Sequence, residues 1–353
     1  MIIPSTLKPK NVMRLMEIQN RLYILNMINH WSREERKEYV DLTAEREKIR
    51  GGGMIDKPGK YKISFEEYIA DPCTEPSLTR TTIKSLIEEP ARKTFLQHPR
   101  LNPQVVEKQS EKFDIGTAAH AIFLTAEDII VMIDALDWRT NKAKEERDAA
   151  REAGKVPLLS HQCRDVLLMV QEAHKALVEW EGRGLKISDG DSEMTYVWQE
   201  PNGVWCRVRP DWRFTKRGYD DGKSELNLCL DYKTTGQSAD PQEYNRIAIA
   251  HGHDIQDAFY RRGVQAVEGC EPDFVFMVQE TEPPYLCAFM ELDMMARDMG
   301  KQKVSAGIKA WAYHLETGEW PGYCSRTYTI EAPPWALAAW ELRKFTLGGD
   351  NGI

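Results

Sequence analysis

The feature that most constrains the fold of this chain is a run of extended apolar segments, interrupted by one helical segment, between Met194 and Leu292. A turn signal at Pro201-Asn202-Gly203 separates MTYVWQ from VWCRVRPDW, and the β-branched and aromatic residues on both sides predict a β-hairpin. A third strand is predicted over LNLCLDYKTT, a helix over IQDAFYRRGVQAV, and a last pair of strands over FVFMVQE and YLCAFMEL. Strands on both sides of a helix, with further helices before them, are typical of an α/β domain with a mixed sheet.

Helical segments precede these strands and are expected to flank the sheet. Residues 77–90, SLTRTTIKSLIEEP, predict a short helix because polar residues begin the segment and proline ends it. A second helix is predicted after Asp114, over IGTAAHAIFL, and a long third helix from about Ser160 to Glu181. Residues 139–155 carry dense charge of both signs, which favours a solvated helix or loop. The alternative is an arch that contacts phosphate groups through Arg139, Lys142, Lys144, Arg147 and Arg151.

The N-terminal region predicts a helical hairpin that extends the main domain. Apolar residues recur at helical intervals between residues 9 and 31, and Ser32 and Glu35 have capping-box spacing before a second helical stretch. Three consecutive glycines at residues 51–53 suit neither a helix nor a strand and predict a flexible joint. We therefore expect a hairpin over residues 1–53 and the main domain over residues 54–353.

Composition restricts where the protein can be located and which ligands it can bind. No apolar stretch approaches the roughly 18–20 residues of a membrane span, and the N-terminus MIIPSTLKPK lacks the pattern of an export signal. We therefore expect a cytoplasmic protein without a membrane partner. The seven cysteines are widely spaced, which favours free thiols over a zinc site or an iron-sulfur cluster. The net charge of -8 is opposite in sign to the positive charge that is typical of nucleic-acid-binding proteins. Clustered carboxylates that bind cations also make the net charge more negative, so the charge alone does not decide.

The strongest chemical signal lies in the segment LDYKTT. Asp231 and Lys233 are two residues apart on a predicted strand, so both side chains point to one face while Tyr232 points to the other. Such a pair is either a structural ion pair or part of a catalytic site. Asp211 lies twenty residues before Asp231, after Pro210, at the predicted end of the preceding strand, where proline ends the ladder and exposes the acid.

Two aspartates at the ends of adjacent strands can converge on one point, and their oxygens suit Mg²⁺, with Mn²⁺ as a substitute. A lysine beside them can orient a water molecule and offset negative charge on a phosphate. Together these groups meet the requirements of metal-assisted phosphodiester hydrolysis. We therefore expect Asp231→Ala or Lys233→Ala to abolish cleavage and to leave the fold intact.

Four motifs in order resemble the RecE-type exonucleases (exonuclease VIII), within the PD-(D/E)XK nuclease superfamily. They are FDIGTAAHAIFL, RPDW, LDYKTT and HDIQDAFYRRGV, and the resemblance spans roughly residues 77–279. It implies a PD-(D/E)XK core with a mixed central sheet flanked by helices. The residue roles that it implies are a metal site formed by His120, Asp211 and Asp231, a catalytic Lys233, and DNA-facing side chains at Gln256 and Tyr260.

The same resemblance implies an exonuclease that degrades duplex DNA from an end for recombination, as a homo-oligomer, with a single-strand annealing protein as partner. An endonuclease, a single-strand nuclease and a non-catalytic DNA-binding or assembly module are the alternatives. On the residues alone, His120 is better explained as a buried structural histidine, and helix packing is the alternative for Gln256 and Tyr260. Glu193 is either a carboxylate that acts through water or a surface strand residue, and His251 and His253 are predicted as loop histidines near the substrate.

Overall fold

The computed structural model describes most of the chain. The described parts are residues 54–102, 114–125, 129–219 and 224–347, with scattered residues between 13 and 45. The chain divides into two compact units, Met1–Trp320 and Pro321–Ile353. Among the described helices, none combines the length and the apolar character that crossing a membrane requires.

The predicted N-terminal hairpin falls largely outside the described residues. The scattered residues that are described there are helical. Arg14 Nε lies 2.8 Å from Glu45 Oε1, and Arg21 Nε lies 2.7 Å from Glu38 Oε1. The domain boundary at residue 53 stays a prediction.

The described residues contain ten strands. In chain order they are β1 (Gly59–Tyr61), β2 (Ile130–Ile133), β3 (Val156–Leu159), β4 (Asp191–Ser192), β5 (Thr195–Gln199), β6 (Trp205–Val208), β7 (Trp212–Tyr219), β8 (Ser224–Thr235), β9 (Asp273–Glu280) and β10 (Cys287–Met290). The main sheet has the order β10-β9-β8-β7-β4, in which β8 and β9 are parallel and the other neighbours are antiparallel. β1, β5 and β6 form an antiparallel sheet, and β2 and β3 a parallel pair.

From residue 54 onward, the described parts of the chain also contain ten α-helices. In chain order they are α1 (Phe65–Ile69), α2 (Arg80–Glu88), α3 (Ala91–Gln97), α4 (Asp114–Thr125), α5 (Asn141–Glu152), α6 (Ser160–Glu179), α7 (Pro241–Ala250), α8 (His253–Glu268), α9 (Met294–Thr317) and α10 (Pro334–Leu347). The first unit contains α1 to α9, and the second unit contains α10. The predicted mixed sheet flanked by helices is confirmed.

Helices cover both faces of the main sheet because the side chains of its strands alternate. In β8, Leu228, Leu230 and Tyr232 belong to a buried cluster that includes residues of α4 and α6. Cys229, on the other face, belongs to a cluster built with α2, α8 and α9. Burying each large apolar side chain contributes about 1.5–3 kcal/mol, so the two clusters hold the sheet between two helical layers.

The parallel pair β8 and β9 needs a crossover, which α7 and α8 provide. A crossover returns the chain from the end of β8 to the start of β9, on one side of the sheet. The N-terminal turn of α8 therefore lies near the end of β8, where the motif LDYKTT is located.

β7 has no counterpart in the sequence prediction. Three charged residues among its eight obscure the alternation, in which Trp212 and Phe214 are buried in one cluster and Arg213 pairs with Glu268 on the other face. The expectation that the hairpin strand ending at RPDW lies beside β8 is therefore wrong. That strand, β6, pairs with β5 in the second sheet, and β7 begins one residue after Asp211 and pairs with β8.

Candidate metal centre

The candidate site lies where the main sheet forks. β7 pairs with β8 as far as Trp212 and Leu230, whereas the end of β8 continues in its pairing with β9. Asp211 immediately precedes β7, and its Oδ2 accepts a hydrogen bond of 2.8 Å from the backbone N–H of Tyr232. The carboxylate thus provides a hydrogen-bond acceptor for a backbone N–H of β8 that lies beyond the last residue pair of β7 and β8. Pro210 suits this position because it has no N–H to continue a ladder.

Asp231 and Lys233 lie side by side on β8, as their spacing predicts. An ion pair joins Lys233 Nζ to Asp231 Oδ2, and Gln256 Nε2 of α8 donates to Asp231 Oδ1 at 2.5 Å. The Asp231 side chain is 2% exposed, whereas that of Lys233 is 29% exposed. Both oxygens of the carboxylate are therefore held in place, while the ammonium group reaches solvent.

His120 reaches the fork from α4, on the face of the sheet that Tyr232 covers. Its Nε2 lies 3.1 Å from Asp211 Oδ2. One helical turn earlier, Gly116 lets α4 approach β8, because a Cβ at this position would lie 2.6 Å from Thr234 Oγ1. Residues four apart share a helix face, so this close approach also determines where His120 lies.

Glu193 completes the group and is the residue whose place the sequence predicted least well. It is not a strand residue but lies between β4 and β5, with a φ of 58°. Its backbone N–H donates to Asp211 O at 3.1 Å. Its Oε1 lies 3.7 Å from His120 Nδ1, and its Oε2 accepts from Arg209 Nε at 2.5 Å. No local sequence pattern indicates a left-handed conformation for a glutamate, so its inward position comes from the tertiary structure.

The site holds like charges close together. Burial and the neighbouring Asp211 carboxylate raise the pKa of Asp231 to about 6. Burial opposes ionisation of Asp211, but the charges of His120 and Lys233 and the hydrogen bond from the Tyr232 N–H together outweigh it and bring the pKa of Asp211 below its ordinary value. Burial likewise acts to lower the pKa of His120, but the carboxylates of Asp211 and Glu193 together outweigh it and raise that pKa. The charge of Asp211 disfavours ionisation of Asp231, and a cation bound beside both carboxylates would relieve this repulsion.

These side chains fit a divalent cation. Ligand atoms of His120, Glu193 and Asp211 all lie within 4.8 Å of one another. The carboxylate oxygens among these ligand atoms suit Mg²⁺ or Mn²⁺. The side chains of His120, Glu193 and Asp211 are 33%, 18% and 12% exposed, so a cation from solvent has access to them. The nearby Asp231 carboxylate adds further negative charge.

Gln256 and Tyr260 lie on α8, where Gln256 is buried and Tyr260 is partly buried. Gln256 is buried, and its described bond is to Asp231, so it supports this carboxylate. Tyr260 packs edge-on against Phe274, with ring centroids 5.8 Å apart, and burial raises its pKa. The predicted contacts of both residues with DNA stay predictions.

His253 is not a loop histidine, so the prediction is wrong for this residue. It is the first residue of α8, is buried, and stacks on Phe276 with ring centroids 4.7 Å apart. Its Nε2 lies 3.1 Å from the hydroxyl of Tyr244, and burial lowers its pKa to about 3. His253 is therefore a neutral packing residue, whereas His251 is exposed at the end of α7.

Most of the basic residues predicted as an arch belong to a solvated helix, and Arg139 lies in the turn before it. Residues 141–152 form α5, which buries Ala143 and Ala150 and packs near β2 and β3. The ion pairs described for the basic residues are Arg139 with Asp137, Lys142 with Glu146 and Arg147 with Asp148. Contact of this helix with phosphate groups stays a prediction.

One family model identifies the type of domain. The model of one family, described as "PDDEXK-like domain of unknown function (DUF3799)", matches residues 81–333. Among solved structures, the chain is similar to the crystal structure of a "Putative exonuclease" from Eubacterium rectale, with a TM-score of 0.49 and 11% sequence identity. The similarity covers 79% of this chain and 99% of the other. A search of curated proteins found no match.

Proposed function

Because the chain belongs to the family of PDDEXK-like domains of unknown function (DUF3799), we propose that it is a nuclease that hydrolyses phosphodiester bonds with the help of a divalent cation. The observation that carries the proposal is the meeting of two acids, a lysine and a histidine at the fork of the main sheet. These residues are Asp211, Asp231, Lys233 and His120.

The residues that would hold the cation are His120, Asp211 and Asp231. Nucleases of this superfamily generally use divalent metals, and we propose Mg²⁺, with Mn²⁺ as a substitute. Bound there, the ion polarises a phosphoryl oxygen and activates water.

The protein's own groups orient the reactants around that position. The ammonium group of Lys233, held beside Asp231 and partly exposed, orients the attacking water and offsets the negative charge that develops on the phosphate. Gln256 and the N–H of Tyr232 each hold one carboxylate, on Asp231 and Asp211 respectively. The site is therefore organised before the substrate binds, which lowers the cost of reorganisation during the reaction.

The substrate that we propose is duplex DNA with ends. The four motifs that resemble RecE-type exonucleases support this choice, as do their order and spacing. Degradation from an end, a role in recombination, a homo-oligomeric assembly and a single-strand annealing partner are part of the same proposal. So are the DNA contacts assigned to Gln256, Tyr260, Arg139, Lys142 and Arg147.

The test compares three labelled substrates: linear duplex, closed circular duplex of the same sequence, and linear single-stranded DNA. Each is incubated with the full chain and Mg²⁺, and a parallel set contains EDTA. Asp231→Asn serves as the matched variant, because it keeps the shape of the side chain and removes its charge. We expect Mg²⁺-dependent release of nucleotides from linear duplex by the wild type and none by the variant.

Each of the other outcomes indicates a different function. Cleavage of the closed circle would indicate an endonuclease, and preference for the third substrate a single-strand nuclease. If the wild type binds Mg²⁺ but cleaves none of the three, the chain is a non-catalytic module and the proposal is wrong.

A further inference from the structure

His120 lies between two carboxylates, and each of its ring nitrogens faces one of them. Nε2 lies 3.1 Å from Asp211 Oδ2, and Nδ1 lies 3.7 Å from Glu193 Oε1. A neutral imidazole has one N–H donor and one acceptor nitrogen, so the two carboxylates have different roles towards the ring once it binds a metal.

Metal-binding histidines almost always donate their second ring N–H to a carboxylate, a backbone carbonyl or water, which fixes the tautomer and the ring orientation. Nε2 is the nitrogen on the side of the fork, next to Asp211, where the cation is proposed to bind. We propose that Glu193 is a positioning residue that accepts the Nδ1 proton of His120 and so leaves Nε2 free to bind the cation. This inference rests on the proposed function, since it takes His120 as a ligand.

The described contacts aim Glu193 at His120. Arg209 Nε donates a hydrogen bond of 2.5 Å to Glu193 Oε2, and Arg209 Nη1 donates one of 2.8 Å to the backbone oxygen of Ile63. The guanidinium group is thus anchored at two points, and Oε1 is the oxygen directed at the ring. The distance of 3.7 Å exceeds that of an N–H···O hydrogen bond by roughly 0.5 Å, so the proposed bond requires the two groups to move closer by about that distance when the cation binds.

The backbone of Glu193 gives independent support. Its φ of 58° lies in the left-handed region, which residues with a side chain seldom adopt. Its N–H donates to Asp211 O at 3.1 Å, so the backbone of one acid is bonded directly to that of the other. Unfavourable backbone conformations tend to occur at functional sites, and here the conformation brings a third carboxylate to the histidine.

The first experiment measures Mn²⁺ binding to the full chain by calorimetry, without DNA. We expect Glu193→Gln, which keeps the length and an acceptor oxygen, to weaken the affinity about 10-fold, and Glu193→Ala up to about 100-fold. Asp191→Asn is the matched control, because it removes a charge two residues earlier, and its affinity should equal that of the wild type. Thermal melting of each variant without metal shows whether it is folded. An unchanged affinity in both Glu193 variants would overturn the proposal.

The second experiment observes the proton itself. In ¹⁵N–¹H correlation spectra with saturating Mg²⁺, the His120 ring, identified by the signals that disappear in His120→Gln, should carry its proton on Nδ1. The cation on Nε2 keeps the proton on Nδ1 in Glu193→Ala as well, but without its acceptor the Nδ1–H signal should move upfield and exchange faster with water, an effect that a purely structural residue would not produce. A wild-type ring protonated on Nε2, or a crystal with Mn²⁺ bound directly to Glu193, would contradict the positioning role.

The outcomes separate this inference from the proposed function. If the wild type binds Mn²⁺ with the expected variant series but cleaves no DNA, the nuclease proposal fails and the role of Glu193 stands. If the wild type cleaves DNA and the binding series is flat, the role of Glu193 alone fails. A wild type that does not bind Mn²⁺ overturns both.

Discussion

At the scale of single residues, Lys233 is the group whose removal should separate catalysis from metal binding. Its ammonium group pairs with Asp231 but is partly exposed, and the proposed ligands are other side chains. We expect Lys233→Ala to lower the single-turnover cleavage rate by about 10²–10³-fold at saturating Mg²⁺, because a cation beside the transition state is lost. Mn²⁺ affinity should change far less than the rate.

A matched control for this variant is Lys175→Ala, on α6. The Lys175 side chain is 60% exposed and lies 3.8 Å from Glu172, so its removal changes the charge without touching the fork. The control should cleave at the wild-type rate. If Lys233→Ala also does so, the assignment of the catalytic lysine is wrong.

At the scale of secondary-structure elements, the contact of α4 with β8 determines where His120 lies. Gly116 makes this contact possible, since a Cβ there would lie 2.6 Å from Thr234 Oγ1. We expect Gly116→Ala to push α4 away from the sheet and so to weaken Mn²⁺ binding and cleavage together by about 10-fold or more, the range seen when the support of a metal ligand is disturbed. Calorimetry and cleavage rates measure the two effects.

The double variant Gly116→Ala/Thr234→Ala tests the cause. Removing Oγ1 leaves the Thr234 Cβ 3.8 Å from the added methyl group, an ordinary van der Waals distance. The second substitution should therefore restore most of the lost affinity. If the two effects are merely additive, the clash is not the cause.

At the scale of the whole molecule, a buried polar cluster joins segments that are distant in sequence. Asp71 lies 2.9 Å from Arg207 of β6, and its other oxygen lies 3.4 Å from His98 Nε2. Nε2 of His98 also lies 3.1 Å from the backbone oxygen of Ser77, and Nδ1 of His98 accepts a hydrogen bond of 3.3 Å from the backbone N–H of Arg100. These contacts suit a neutral imidazole with its proton on Nε2.

Because of this cluster, we expect acid to lower the free energy of unfolding. Burial lowers the pKa of His98 to about 4, against about 6.5 in an unfolded chain. Between these values the unfolded chain binds the proton and the folded chain does not, so the free energy of unfolding decreases as pH falls from about 6.5 to about 4. The contribution lost is on the order of 3 kcal/mol, at about 1.36 kcal/mol per pKa unit.

Urea unfolding of the wild type and of His98→Gln at several pH values measures this contribution. The difference in unfolding free energy between the two proteins should shrink by that amount as pH falls through the window. A constant difference would mean that His98 titrates normally in the folded protein.

The metal centre should also affect the stability of the whole molecule. A ligand that binds the folded state alone stabilises it by about 2.7 kcal/mol at a concentration of 100 Kd. We therefore expect Mg²⁺ to raise the Tm of the wild type and to leave that of Asp211→Asn unchanged. Equal shifts in both proteins would show that Mg²⁺ stabilises the fold at another place.

The sequence by itself determined the elements and the chemistry that lies within one element. The alternation in LNLCLDYKTT places Asp231 beside Lys233 on one face of β8, and the helical pattern of HDIQDAFYRRGV produces α8. Both are local consequences of backbone geometry, because side chains repeat every two residues in a strand and every 3.6 in a helix. The mixed sheet between helices followed from the order of these elements.

Only the tertiary structure decided which strand lies beside β8 and what meets at the fork. β7, and not the predicted β6, pairs with β8. The pairing of a strand depends on packing against residues far away in the chain, and a local sequence pattern does not contain that information. For the same reason the sequence did not place Glu193 beside His120, bury Gln256 behind Asp231 or bury His253. These positions depend on several elements closing on each other, and the physical cause is packing rather than local backbone preference.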